Sequence, residues 1–175
     1  MNEVAPLLPD IKNPMLAPHW EAAARGRLAI RFCVDCDAPQ WPPRYNCLAC
    51  HGFAFEWREV ADRGELFTYF IARKALHPSL ADDVPYATAA VVLPVGVKLL
   101  GRLVDIEPDG IRIGMPLRAR YVPRSPDVTL VYWAPDTDGP DTDAPDTDGP
   151  DTDGPNEDGP NEDGAGMIHP RGKGL

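Results

Sequence analysis

RLAIRFCVDCDAPQWPPRYNCLAC, residues 27–50, carries all four cysteines of the chain as two Cys-x2-Cys pairs, Cys33 with Cys36 and Cys47 with Cys50, ten residues apart. Two residues between cysteines let both sulfurs of one tight turn reach a single ion. Two such turns supply the four thiolates that a tetrahedral structural zinc takes. The spacing therefore predicts one metal ion held by Cys33, Cys36, Cys47 and Cys50. Such a site leaves no coordination position for water or substrate, so the metal is expected to hold structure and do no chemistry. Iron is the alternative, because four thiolates also suit a rubredoxin-like centre. Disulfides require an oxidising compartment. Residues 1–10 carry Glu3 and Asp10 and show neither the basic start nor the apolar core of a secretory signal, which points to a cytoplasmic protein with reduced thiols.

The metal is also an energetic expectation. Residues 28–57 bury too little apolar surface to fold unaided, and apparent zinc binding of about 10–16 kcal/mol offsets that deficit in small domains. Four thiolates and one dication leave a negative cluster, which makes Arg31 and Arg44 candidates to face it. The residue after each pair, Asp37 or His51, falls where a knuckle needs left-handed backbone; both types tolerate it better than most. His51 is therefore read as a turn residue. His19, His77 and His169 show no ligand pattern.

Upstream, residues 18–25 (PHWEAAAR) are rich in helix formers with Pro18 near the start and Gly26 after the end, which predicts a short helix; residues 27–32 then read as a strand. Downstream, five runs read as strands: 65–72, 86–93, 97–104, 116–122 and 128–133. Five short strands without a long helix between them fit a small barrel of the OB type, and closure removes the exposed edges of such apolar strands. The fold class is thus mainly β: an N-terminal helix and zinc ribbon over 15–60, a five-stranded OB-fold over 61–134, and a tail over 135–175.

The tail begins with six five-residue units, PDTDG, PDTDA, PDTDG, PDTDG, PNEDG and PNEDG, over residues 135–164. They lack apolar periodicity and place a proline at every fifth position, so a disordered, solvated acidic spacer is expected. Asp-x-Asp-Gly repeats a fragment of a calcium loop without the further ligands and bidentate glutamate such a loop needs. These units hold 12 of the 27 acidic residues and no cation. With Arg171 and Lys173 also behind them, residues 1–134 keep 15 acidic and 15 basic side chains, so the net charge of −10 belongs to the tail. A neutral folded part does not carry the basic footprint of a nucleic-acid binder. No apolar run approaches the roughly 20 residues of a membrane span.

One combination is more specific than its parts. The helix and cysteine region HWEAAARGRLAIRFCVDCDAPQWPPRYNCLAC, the later VPYATAAVVLPVGVKLLGRLV and IRIGMPLRARYV together resemble the DUF35 proteins, in which a helix and rubredoxin-like zinc ribbon precede an OB-fold. The resemblance covers about residues 18–135. It is carried most sharply by Pro42-Pro43-Arg44, Val84-Pro85-Tyr86 and Ile113-Gly114-Met115-Pro116, while Asp37 and His51 depart from the usual Cys-Gly ending of the knuckles. It implies a non-catalytic partner of a thiolase-superfamily enzyme, thiolase or aldolase, acting on acyl-CoA, as in archaeal thiolase assemblies, steroid side-chain degradation and anaerobic toluene breakdown.

The residues are compatible with that role. All four cysteines are assigned to metal, Ser79 and Ser125 sit in proline-flanked loops without a partner base, and no phosphate-binding glycine loop is present, so no catalytic residue is expected. Contact with acyl-CoA would draw on barrel cations. Arg73, Lys74, Lys98 and Arg102 are the candidates, with Arg112, Arg118 and Arg120 beside them. Two other functions compete: a nucleic-acid-binding OB module stacking bases on Phe67, Tyr69, Phe70 or Tyr86, and a small iron electron carrier.

Overall fold

Proline near its start and alanine along its length set the first element, helix α1 (Ala17–Ala24). It ends where Gly26 turns left-handed at φ 69°. There the Gly26 N–H donates to Ala23 O and the Arg27 N–H to Ala22 O, both at 2.9 Å, which closes the last carbonyls of the helix. A computed structural model describes residues 6–137. After α1 the order is β1 (Leu28–Cys33), β2 (Pro39–Gln40), β3 (Phe55–Val60), β4 (Arg63–Ala72), β5 (Tyr86–Val92), β6 (Lys98–Arg102), β7 (Pro116–Ser125) and β8 (Val128–Pro135). Short 3-10 segments, Pro78–Asp83 of six residues and Pro108–Gly110 of three, interrupt the connections.

The strands form two sheets. The ribbon sheet has the order β2-β1-β3, all antiparallel. β3 is absent from the expected strands because Glu56, Arg58 and Glu59 make FEWREV read as polar; pairing with β1 along six residues, Leu28 opposite Val60 to Cys33 opposite Phe55, overrides that preference. The second sheet has the order β6-β5-β4-β7-β8. Its ends meet through a parallel bridge between Leu103 and Trp133, where Val104 N–H donates to Trp133 O at 2.8 Å. Closure is what makes this sheet a five-stranded OB barrel. β6 passes very close to Trp133: a Cβ on Gly101 would lie 2.6 Å from the indole, so only glycine fits there.

One apolar cluster fills the barrel and continues into the ribbon. Leu66, Val91, Leu93, Leu117 and Trp133 from the barrel strands share it with Ala23 of α1 and with Leu28, Ile30 and Phe32 of β1. Fully burying each such large side chain stabilises by roughly 1.5–3 kcal/mol. The first ribbon strand is therefore held by the barrel core as well as by whatever the cysteines bind.

At the C-terminal end, the boundary expected between residues 134 and 135 falls inside β8. Asp136 is buried, its N–H donates to Pro116 O at 3.0 Å, and its carboxylate lies 3.0 Å from Arg63 Nη1. The first proline and aspartate of the repeat thus belong to the barrel. The disorder expected of the rest of the repeat concerns residues outside those described. Among the described residues no helix is long and apolar enough to cross a membrane.

Candidate metal centre

Each cysteine pair is folded by the same local bonds. In the first knuckle Asp37 N–H donates to Cys33 O and Cys33 N–H to Ala38 O, both at 3.0 Å. In the second, His51 N–H donates to Cys47 O at 3.0 Å and Cys47 N–H to Gly52 O at 2.8 Å. Asp37 and His51 take φ 60° and 63°, the left-handed conformation expected at the end of each knuckle. Buried Gln40 clamps the loop between the pairs: its Nε2 donates to Asn46 O at 2.8 Å and its Oε1 accepts from Arg44 N–H at 3.0 Å. The Trp41–Pro42 peptide in this loop is cis, as is Val84–Pro85 before β5.

These turns bring the four sulfurs of Cys33, Cys36, Cys47 and Cys50 within 4.8 Å of one another. The short contacts cross between knuckles, Cys33 to Cys50 at 3.5 Å and Cys36 to Cys47 at 3.6 Å. Sulfurs placed about 2.3 Å from a tetrahedral zinc are about 3.8 Å apart, whereas a disulfide brings them to about 2.05 Å. The spacing fits one metal ion among four unbridged thiols. Cys33 and Cys47 are buried and Cys36 and Cys50 exposed, so an ion here would sit at the rim of the fold with one ligand of each knuckle anchored inside. The Cys50 and Ala49 backbone N–H groups hold the Cys47 thiol down to about 7. Cys36 receives a lowering bond from the Ala38 backbone, but the Cys50 thiol, loss of solvent and the Cys47 and Cys33 thiols push it up to about 12. A divalent cation displaces the protons of the thiols it binds, so metal and proton compete at such a site. Among the described residues no other group of three His, Cys, Asp or Glu is placed to hold a metal.

Of the two arginines expected near the cluster, Arg44 lines one cleft together with Cys47. Arg31 donates to the Arg44 carbonyl at 2.8 Å and lies 3.8 Å over the Phe55 ring, so it ties the two halves of the ribbon together at the backbone. Arg58 of β3 is a further cation at the ribbon. It donates to the Asp37 carboxylate at 2.6 Å and stacks 4.7 Å from Phe32, fixing the end of the first knuckle. Twenty-one residues separate Arg58 from Asp37, and no local pattern announces the contact. Buried His19 stays out of the metal site: its Nδ1 lies 3.0 Å from Ala29 O, its ring packs on Trp20 and Trp41, and burial lowers its pKa. His77 caps the Pro78–Asp83 turn.

The four barrel cations named for acyl-CoA lie on β6 and in the loop that follows β4. Arg73 and Lys74 lie in the loop after β4, and Lys98 and Arg102 at opposite ends of β6, about 13 Å apart along the strand. Lys98 Nζ sits 3.7 Å over Phe67. Arg102 is 2.7 Å from the Asp83 carboxylate and 4.9 Å over Tyr86. Arg112 donates to Asp109 O at 2.6 Å, and Arg120 is 3.6 Å from Asp105. Two clefts flank β6. One, of about 410 Å³, is lined by Trp41, Arg44, Leu48 and Lys98 where ribbon meets barrel. The other, of about 390 Å³, is lined by Ile71, Tyr86, Arg102 and Tyr132.

Residues 20–56 match the family described as ChsH2, rubredoxin-like zinc ribbon domain, and residues 57–122 the family described as ChsH2, C-terminal OB-fold domain. A solved structure described as Ltp2-ChsH2(DUF35) aldolase contains a chain 35% identical to this one; the match covers 70% of this chain and 95% of that chain with a TM-score of 0.65. The chain belongs to the DUF35 family. A DUF35 domain-containing scaffold protein of Methanocaldococcus jannaschii is 28% identical over 113 residues, 63% of this chain and 79% of that protein. A probable enoyl-CoA hydratase alpha subunit of Thermomonospora curvata is 35% identical over 116 residues, 66% of this chain. The DUF35 chain described here spans only 36% of that hydratase subunit.

Proposed function

We propose that this chain is a non-catalytic accessory subunit of an acyl-CoA enzyme of the thiolase superfamily, a thiolase or aldolase, with one structural zinc held by Cys33, Cys36, Cys47 and Cys50. The observation that carries the reading is a cluster of four cysteine sulfurs spaced to suit one ion, joined through β1 to a closed barrel. Such a unit presents a rigid surface and offers no open coordination position. Contrary to the sequence expectation, Ser79 has a histidine partner, its hydroxyl lying 2.8 Å from His77 Nδ1, but that nitrogen also accepts from Ser79 N–H as the cap of its own turn, and the pair lines neither of the two clefts beside β6. Relatives described as a scaffold protein and as part of an aldolase support a supporting role beside an enzyme. In that role the ribbon and barrel help form the substrate entrance, with Arg73, Lys74, Lys98 and Arg102 as candidate contacts for the anionic coenzyme. The whole chain works in the cytoplasm, where thiolates stay reduced.

The test is reconstitution. The tagged full-length protein is purified from its source cells, its partner identified, and the two produced together. A stable complex on size exclusion and a higher activity than the enzyme alone are expected, with zinc at one per chain by elemental analysis. An enzyme that is fully active alone and never co-elutes would end this reading.

A further inference from the structure

Along a barrel strand one residue points into the core and the next to water, so outward residues of β4, β5 and β6 should be polar. Several of the inward ones, Leu66, Ala89, Val91 and Leu99, are at most 2% exposed. The registers Thr68–Ala90–Leu100 and Phe70–Thr88–Arg102 run across the outer face. The bulge between Leu66 and Thr68 adds Phe67, on whose ring Lys98 rests. Phe67, Phe70 and Leu100 are 50%, 53% and 71% exposed. Between them the central strand contributes only Ala90 and Thr88. The result is a shallow trough with a floor of small side chains and apolar walls, where the barrel's own folding requires none.

Charge marks its two ends. Lys98 stacks on Phe67 at one end and Arg102 on Tyr86 at the other. We propose that this trough docks an amphipathic helix of the partner enzyme, with its apolar stripe over Ala90 and a carboxylate near each end to meet Lys98 and Arg102. Dimensions favour a helix: the trough spans three strands, about 10 Å, close to a helix diameter. Carboxylates eight residues apart on a helix are about 12 Å apart, against about 13 Å between the two cations. A nucleic-acid strand fits less well. Asp83, paired with Arg102, weighs equally on a carboxylate and on a phosphate there, but residues 1–134 carry no net positive charge to draw a whole phosphate chain. The identity of the partner rests on the accessory-subunit reading; the mode of docking rests on this face alone.

The probe is a fluorescein-labelled helical peptide with leucines at every fourth position and a glutamate at each end of the stripe, titrated by anisotropy into the zinc-loaded full-length protein. Saturable binding is expected, weakened at least about tenfold by Leu100→Glu and by Phe70→Ser, and likewise when the two glutamates of the peptide are replaced by lysine. Unchanged melting and zinc content of both variants show that the fold is kept. No saturable binding, equal binding of the lysine-ended peptide, or preferential binding of oligothymidine at physiological salt overturns the proposal. The co-purified enzyme separates the two readings. A complex that forms equally well with Leu100→Glu leaves the accessory role standing and removes the trough from it. Peptide binding by a protein that never joins an enzyme keeps the trough and removes the accessory role.

Discussion

The ribbon and the barrel are both small antiparallel β structures, yet they are closed by different forces. The barrel is closed by apolar packing: Leu66, Val91, Leu117 and Trp133 fill its interior, and the Leu103–Trp133 bridge joins its ends. The ribbon beyond β1 has little interior. Its knuckle side chains Val34, Leu48 and Phe53 are exposed, β2 is two residues long, and the two halves approach through cysteine sulfurs. β1 belongs to both, since Leu28, Ile30 and Phe32 pack in the barrel cluster while Cys33 ends the strand at the metal site. Division of labour between core and metal therefore runs through the middle of the ribbon, along β1.

The strongest way to break this comparison is to remove the metal. Cys47→Ser, or chelation of the wild type, is expected to abolish zinc binding and amide protection over residues 34–54 while β4–β8 stay protected in hydrogen exchange. Loss of protection throughout would mean that the barrel also depends on the metal. Next in size, Ile30→Ala removes a fully buried side chain from the shared cluster. It should cost about 2–5 kcal/mol by denaturant unfolding and lower the melting temperature of ribbon and barrel together. Two separate transitions would place β1 with the ribbon alone.

A smaller effect is expected from pH. Burial lowers the His19 pKa below its usual 6.5, so the unfolded chain binds the proton more readily than the folded one. The associated stability is complete above the ordinary imidazole range and is lost as pH falls below it. His19→Gln should flatten the dependence of unfolding free energy on pH between neutrality and mild acid, with zinc content followed in parallel. An unchanged slope would remove His19 as its source. The smallest change is expected from Arg58→Ala, because its ion pairs with Asp37 and Glu56 are solvent-exposed. It should quicken amide exchange at Asp37 and leave zinc content and barrel protection untouched.

Much of this architecture is legible residue by residue. The helix, β1 and five barrel strands follow from local periodicity and punctuation, and the ligand set follows from cysteine spacing. β3 escapes such reading because its charges are neutralised by partners elsewhere: Arg58 reaches Asp37, and β1 supplies the pairing edge. Among the acyl-CoA candidates, spacing along the chain says little about placement. Lys98 and Arg102 are near neighbours in sequence, but an extended strand carries them to opposite ends of a trough, each over a different aromatic ring.

The sequence by itself determined which four sulfurs meet, because two residues between cysteines fix a turn whatever surrounds it, and which runs become barrel strands, because alternation selects an inward face. Only the tertiary structure decided what those elements share. It placed Ile30 of the ribbon in the core of the barrel, closed β6 on β8 beneath Trp133, and left Phe67, Phe70 and Leu100 on a common outer face. Those are relations between residues distant along the chain, set by strand register and closure, which no local pattern encodes.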